Sequence, residues 1–176
     1  MGRPGFHRGG GGGNAGGRTR GPQLIAYPDT SFLCALYRSQ DNSERALTHR
    51  AEMSEPLHVT RLLIWEFRQS VRFQAFRHSK NSQVGYPIRE AEKMLADFGD
   101  DIRDGLVTVV EIDMTNILVT GERISKMRTL AGGHRGFDIL HVATAIDLDA
   151  KDFLSFDGNQ NGLAVAEGLK APLGGA

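Results

Sequence analysis

Cysteine is nearly missing from this chain: Cys34 stands alone among 176 residues. A single thiol cannot close an intrachain disulfide or build a thiolate metal cluster. No apolar stretch near the N-terminus could serve as a secretory signal, and no apolar run is long enough to span a membrane. Together these absences predict a soluble, cytoplasmic protein with no membrane partner. Net charge is absent too, with 21 Lys and Arg against 21 Asp and Glu. No internal repeat is visible.

What is present is unevenly distributed. Ten of the first 21 residues are glycine, Arg3, Arg8, Arg18 and Arg20 supply charge, and no acid occurs before Asp29. Such a segment has almost nothing to bury, so residues 1–22 are expected to form a disordered Gly/Arg-rich tail. Such a stretch is more often a bland linker, an expression remnant or an over-extended start site than an arm that touches RNA phosphates. Residues 23–176 are enough for one domain that buries roughly 70% of its unfolded surface. Without the tail's arginines they carry 17 basic and 21 acidic residues, a net charge of −4. That balance suits a nucleic-acid enzyme only if several acids line one cleft.

Hydrophobic patterning predicts alternating strands and helices. Leu24-Ile25-Ala26-Tyr27 reads as a first strand, closed by Pro28, with Ser31 as the N-cap of a following helix. A helix from Asn42 or Ser43 to about Met53, a strand at 57–60 and a long helix from Arg61 to about His78 come next. Another helix spans 88–103, a β-branched strand 106–112, and Thr115 is the expected cap of a helix that reaches about Leu130. Residues 131–136 read as a loop, 137–148 as a helix, 152–156 as a strand, 157–162 as a loop and 163–167 as a helix. Residues 169–173 offer a weak edge strand. This alternation predicts an α/β three-layer sandwich, a mainly parallel central sheet flanked by helices. The chain is too short for an eight-unit barrel.

Four acids recur in comparable settings: Asp29 after the first strand, Glu66 one turn inside the long helix, Asp138 at a helix start and Asp157 after the last clear strand. Each has an ordinary explanation. Asp29 and Asp138 suit helix caps, Asp157-Gly158 suits a turn, and Glu66 between Trp65 and Phe67 could sit at an exposed edge. Jointly they mean more, because in an open parallel sheet ligands gather beyond the carboxyl ends of the strands. Two unit charges 4 Å apart repel by about 4 kcal/mol at an effective dielectric of 20, and four converging acids make several such pairs. Such a pocket needs a cation or protonated carboxyls. A hard divalent ion with oxygen ligands is the simplest remedy, and Mg²⁺ usually takes one or two carboxylates directly and keeps several waters.

These residues resemble the acidic set of the PIN-domain family, and more closely that of the VapC-type toxin ribonucleases of toxin–antitoxin pairs. Its carriers are Asp29-Thr30-Ser31, Trp65-Glu66-Phe67, the block from Phe137-Asp138-Ile139-Leu140-His141 to Ala145, and Leu154-Ser155-Phe156-Asp157-Gly158-Asn159-Gln160. The resemblance implies a PIN-like fold and metal-dependent hydrolysis of RNA phosphodiester bonds, an endoribonuclease using Mg²⁺ or Mn²⁺. Asp29, Asp138 and Asp157 would hold the metal directly or through water. Glu66 would orient the attacking water or hold a second ion. Thr30 or Ser31 would steady Asp29 or touch a phosphate, with Arg135 and Asn159 as further substrate-binding candidates. A small antitoxin and a homodimer are the implied partners, the helix at 88–98 being a surface for the latter.

His141 is expected to donate a hydrogen bond within the fold rather than to act as a base. Phe32, Trp65, Phe67, Phe73 and Phe76 are assigned to the core, and Cys34 to a buried small hydrophobe. Arg61, Arg68, Arg72 and Arg77 mark a helix that is basic on its outer side, a solvated face in the first instance, or else an RNA cradle or an antitoxin-binding groove. A haloacid-dehalogenase-type phosphatase would need an aspartate at Ser31, and a dinucleotide-binding domain would need glycines after the first strand. The competing readings are a catalytically silent PIN-like binding module and a PIN nuclease in RNA processing without an antitoxin.

Overall fold

The computed structural model describes residues 26–175. The expected Gly/Arg tail, and Leu24 and Ile25 of the expected first strand, lie outside the described residues. The elements are β1 Ala26–Pro28, α1 Thr30–Tyr37, α2 Ser43–Glu52, β2 Leu57–Thr60, α3 Arg61–Lys80 and α4 Ile88–Arg103. They continue with β3 Val107–Val110, α5 Met114–Gly132, α6 Gly136–Asp147, β4 Asp152–Leu154 and α7 Gly158–Ala166. β1 pairs in parallel with β4 and β2 in parallel with β3, while β1 lies against β2. The fold is therefore α/β, with helices flanking a small parallel sheet. Its hydrogen-bonded ladders are two strand pairs rather than one continuous sheet. The expected edge strand at 169–173 is reduced to one bridge between Lys170 and Asp152.

Strand ends position the site. Tyr27 pairs with Phe153 and Pro28 with Leu154, and the Asp29 N–H then donates to the Leu154 carbonyl at 2.9 Å. The carboxyl ends of β1 and β4 thus leave the sheet side by side. Each strand-to-helix joint here is closed by a side-chain cap: Asp29 for α1, Thr60 for α3 and Asp157 for α7. Two of these caps correct the sequence reading. Asp29 rather than Ser31 caps α1, because the Ser31 hydroxyl turns back to the Asp29 carboxylate. α7 begins at Gly158, not at 163, because Asp157 accepts from the Asn159 and Gln160 N–H groups. The residues expected to form a loop at 157–162 are its cap and first turns.

Helix faces also sort differently from expectation. Leu63, Phe67, Val71 and Ala75, four residues apart on α3, point into the core together with Phe32. Trp65, Phe73 and Phe76 lie off that stripe and are exposed, so their assignment to the core is corrected. The apolar stripe of α4 is spent inside the chain, where Ala91, Met94 and Phe98 are buried and Phe98 meets Phe67 edge-on at 5.0 Å. Of its large apolar residues only Ile88 is exposed, so little of the apolar surface expected at 88–98 is open to a second copy. α5 ends at Gly133, whose left-handed backbone (φ +65°) requires glycine and turns the chain towards α6, with Asp138 in its first turn.

Candidate active site

Asp29 is the deepest of the acids, only 1% exposed. One oxygen accepts from the Phe32 N–H at 2.9 Å and the Ser31 hydroxyl at 2.7 Å, and the other accepts from Ser155 Oγ at 2.6 Å. A carboxylate offers about four acceptor positions, so roughly one remains open. Burial holds the Asp29 carboxyl above the usual aspartate range, against the opposing pull of Ser155, Ser31, Phe32 N–H and His141. Ser155 and Ser31 also bind the next segment. Ser155 Oγ accepts from the Asp157 N–H at 2.9 Å, and Ser31 Oγ accepts from the Phe156 N–H at 2.8 Å.

Glu66 approaches from α3. Its Oε2 accepts from the Thr30 hydroxyl and from His141 Nε2, the latter at 2.5 Å, while the other face of the His141 ring meets the Tyr27 hydroxyl at 3.0 Å. Because a carboxylate only accepts, Nε2 must carry a proton. Burial would raise the Glu66 carboxyl, but the hydrogen bond and charge of His141 and the Thr30 bond outweigh it and hold Glu66 below its ordinary range. Burial also raises the Tyr27 phenol, which stays protonated and can serve the imidazole. His141 is fully buried and acts within the fold, as its sequence setting predicted.

Asp138 and Asp157 are joined by Gln160. The Gln160 amide nitrogen donates to Asp138 Oδ1 at 3.0 Å, and its backbone N–H donates to Asp157 Oδ1 at 3.0 Å. Asp138 Oδ2 accepts from the Arg135 N–H at 3.1 Å, so this acid does cap its own helix. One unbroken line of hydrogen bonds therefore runs from Asp138 through Gln160, Asp157 and Ser155 to Asp29. Thr30, the next residue, carries it on to Glu66, His141 and Tyr27.

Thr30 steadies Glu66, whereas Ser31 steadies Asp29. Arg135 and Asn159 are exposed at the rim and contribute backbone N–H groups to Asp138 and Asp157. Sequence reasoning missed Ser155 and Gln160 as members of the site. Ser155 had a signal, since it is the first residue of the Ser-Phe-Asp block. Gln160 had none until α7 was seen to begin before it. Cys34 is half-buried behind the site, its thiol pushed up to about 12 by burial and by the Asp29 and Glu66 charges.

Among the described residues, no three His, Cys, Asp or Glu side chains stand close enough to enclose a metal by themselves. The donor set nevertheless fits a hydrated hard cation. Among the described residues the hydrogen bonds accepted by Glu66 fall on Oε2 and those accepted by Asp157 on Oδ1, which leaves Glu66 Oε1 and Asp157 Oδ2 open, and the buried Gln160 Oε1 beside Asp138 has no hydrogen-bond partner. These are oxygen acceptors of the kind that bind Mg²⁺ or its waters, and Mg²⁺ needs few direct carboxylates.

The PIN domain family profile matches residues 26–166. Mycobacterium tuberculosis VapC20, a toxin that cleaves the sarcin–ricin loop, shares this fold with a TM-score of 0.52 at 16% identity, over 78% of this chain and 93% of its own. PAE2754 from Pyrobaculum aerophilum aligns at 15% identity over 88% of each chain with a TM-score of 0.49. Among curated proteins nothing matches significantly.

Proposed function

Because the chain belongs to the PIN domain family, we propose that it is a metal-dependent endoribonuclease that hydrolyses RNA phosphodiester bonds at the Asp29, Glu66, Asp138 and Asp157 edge. The observation that carries this reading is the hydrogen-bonded line from Asp138 through Asp157 to Asp29 at the carboxyl ends of β1 and β4, with Glu66 held to the adjacent Thr30. Asp138, Asp157 and the last open position of Asp29 would hold Mg²⁺ or Mn²⁺, directly or through water, with Gln160 Oε1 beside them. The ion supplies two things: a lowered pKa for bound water and neutralisation of charge on the phosphoryl oxygens. Glu66, kept ionised by His141 and Thr30, presents Oε1 to orient the attacking water or to hold a second ion. Arg135 stands at the rim for a phosphate contact.

The likeness in fold to a sarcin–ricin loop-cleaving toxin supports a toxin role and a structured RNA target. In that role a small antitoxin would lay a segment into the acidic cleft, and the toxin would form a homodimer.

An RNA cleavage assay with mapped products, run on the full chain, tests the nuclease reading. Cleavage is expected with Mg²⁺ or Mn²⁺, none in excess EDTA, and none in Asp29→Asn or Asp138→Asn. Gln160→Ala, which removes a partner rather than a carboxylate, should lower activity about 10- to 100-fold. Full activity in EDTA, or in both Asn variants, removes the metal mechanism.

A further inference from the structure

α3 carries Arg61, Arg68, Arg72, Arg77 and Lys80 but only one acid, Glu66, which turns into the site. Positions 61, 65, 68, 72 and 76 are spaced by three or four residues and so share one face of the helix. All five are exposed, and they read Arg61, Trp65, Arg68, Arg72, Phe76. Trp65 is 57% exposed and stacks on the 38% exposed Phe137, with ring centres 5.8 Å apart and planes 25° apart. Phe137 in turn lies 6.4 Å from the His141 ring that grips Glu66, and it directly precedes Asp138. A row of rings therefore leads from the candidate catalytic carboxylate to the surface and opens onto an exposed basic stripe of α3, whose first arginine, Arg61, pairs with Glu111 at 3.3 Å.

We propose that Trp65 and Phe137 form a nucleobase-stacking platform, and that the stripe from Trp65 through Arg68 and Arg72 to Phe76 is the track along which single-stranded RNA leaves the carboxylate edge. Alternating guanidinium groups and aromatic faces suit a single strand, whose phosphates take the charge while its unpaired bases take the rings. A duplex keeps its bases stacked on each other and cannot use the platform. The inference rests on the ribonuclease reading for the identity of the ligand alone.

Trp65 is the only tryptophan in the chain, so intrinsic tryptophan fluorescence reports this position without labelling. The experiment titrates the full chain, in EDTA, with a single-stranded oligoribonucleotide, the same sequence as a duplex, and an abasic oligomer of equal charge. Saturable quenching by the single strand is expected, with little by the other two. In a labelled-oligonucleotide assay Trp65→Ala should raise Kd about tenfold and Trp65→Phe should restore most of it. Arg68→Gln should flatten the slope of log K against log salt by about 0.7. No quenching, with Trp65→Ala binding RNA as wild type does, overturns the platform. A tryptophan signal that changes with protein concentration and not with RNA also overturns it, and assigns the patch to a second copy of the chain. Because no metal is present, loss of the nuclease reading would appear separately, as quenching without any metal-dependent cleavage.

Discussion

Asp29 receives more donors than any other of the four acids, yet burial still holds its carboxyl above the ordinary aspartate range. The sign of the consequence follows from linkage. An acid whose folded-state pKa is raised contributes stability that is complete below its unfolded pKa and is lost as pH rises through the folded value. Above that folded value the ionised Asp29 is therefore a cost to the fold. Asp29→Asn keeps an N-cap acceptor for the Phe32 N–H, since asparagine caps as well as aspartate does. In EDTA this variant should melt at the wild-type temperature or higher while cleavage is lost. A clearly lower melting temperature would mean that the charge itself stabilises α1. Ser31 was legible as a residue that steadies Asp29, whereas Ser155 read as an ordinary small polar residue and only its contact gives it a share of that work.

Helix caps offer a way to separate structure from chemistry at the scale of an element. Asp113 caps α5 by accepting from the Thr115 and Asn116 N–H groups, and Asp157 caps α7 in the same manner. Asp113→Ala should cost about 1 kcal/mol of stability and leave the cleavage rate unchanged. Asp157→Ala should cost a similar amount and lose cleavage as well. Asp157→Asn, which retains a capping side chain, should lose cleavage with little change in melting temperature. Denaturant melts and cleavage rates on the same preparations read both quantities. Equal loss of activity in the Asp113 and Asp157 variants would reduce Asp157 to a cap. Elements with clean periodicity were legible in the chain: β2 at 57–60 and α4 at 88–103 have the predicted bounds. The start of α7 was not, because Gly158, Asn159 and Gly162 have poor helix propensity. The Asp157 cap and the burial of Gln160 and Asn161 outweigh it.

For the whole molecule, two buried or half-buried glutamates govern the acid limb of stability. Glu167 at the end of α7 would be raised by burial, but Arg128 and Arg123 of α5 outweigh this and hold it low. Glu66 is held low in the same sense by His141 and Thr30. A lowered folded-state pKa contributes stability that is present above the unfolded value and is lost as pH falls through the folded one. The melting temperature in EDTA should therefore fall as pH drops below the ordinary glutamate value of about 4.3. Glu66→Gln should flatten that limb, and a slope identical to wild type would separate Glu66 from acid denaturation.

From the chain alone came the order of strands and helices, the α/β class and the four acids, because hydrophobic period and cap chemistry are local properties. Local pattern also placed Glu66 one turn inside a helix and Asp157 just after a strand. Which neighbours those acids would meet was decided only in three dimensions. Parallel pairing of β1 with β4 brings Ser155, 126 residues away in sequence, against Asp29. Side chains reaching across from α6 to the first turns of α3 hand Glu66 to His141 and stack Phe137 on Trp65. Outward-facing aromatics on α3 look the same as core residues in a list of letters. Only the choice of Leu63, Phe67, Val71 and Ala75 as the buried stripe turns the others to solvent, since a helix that packs one face must expose the opposite one.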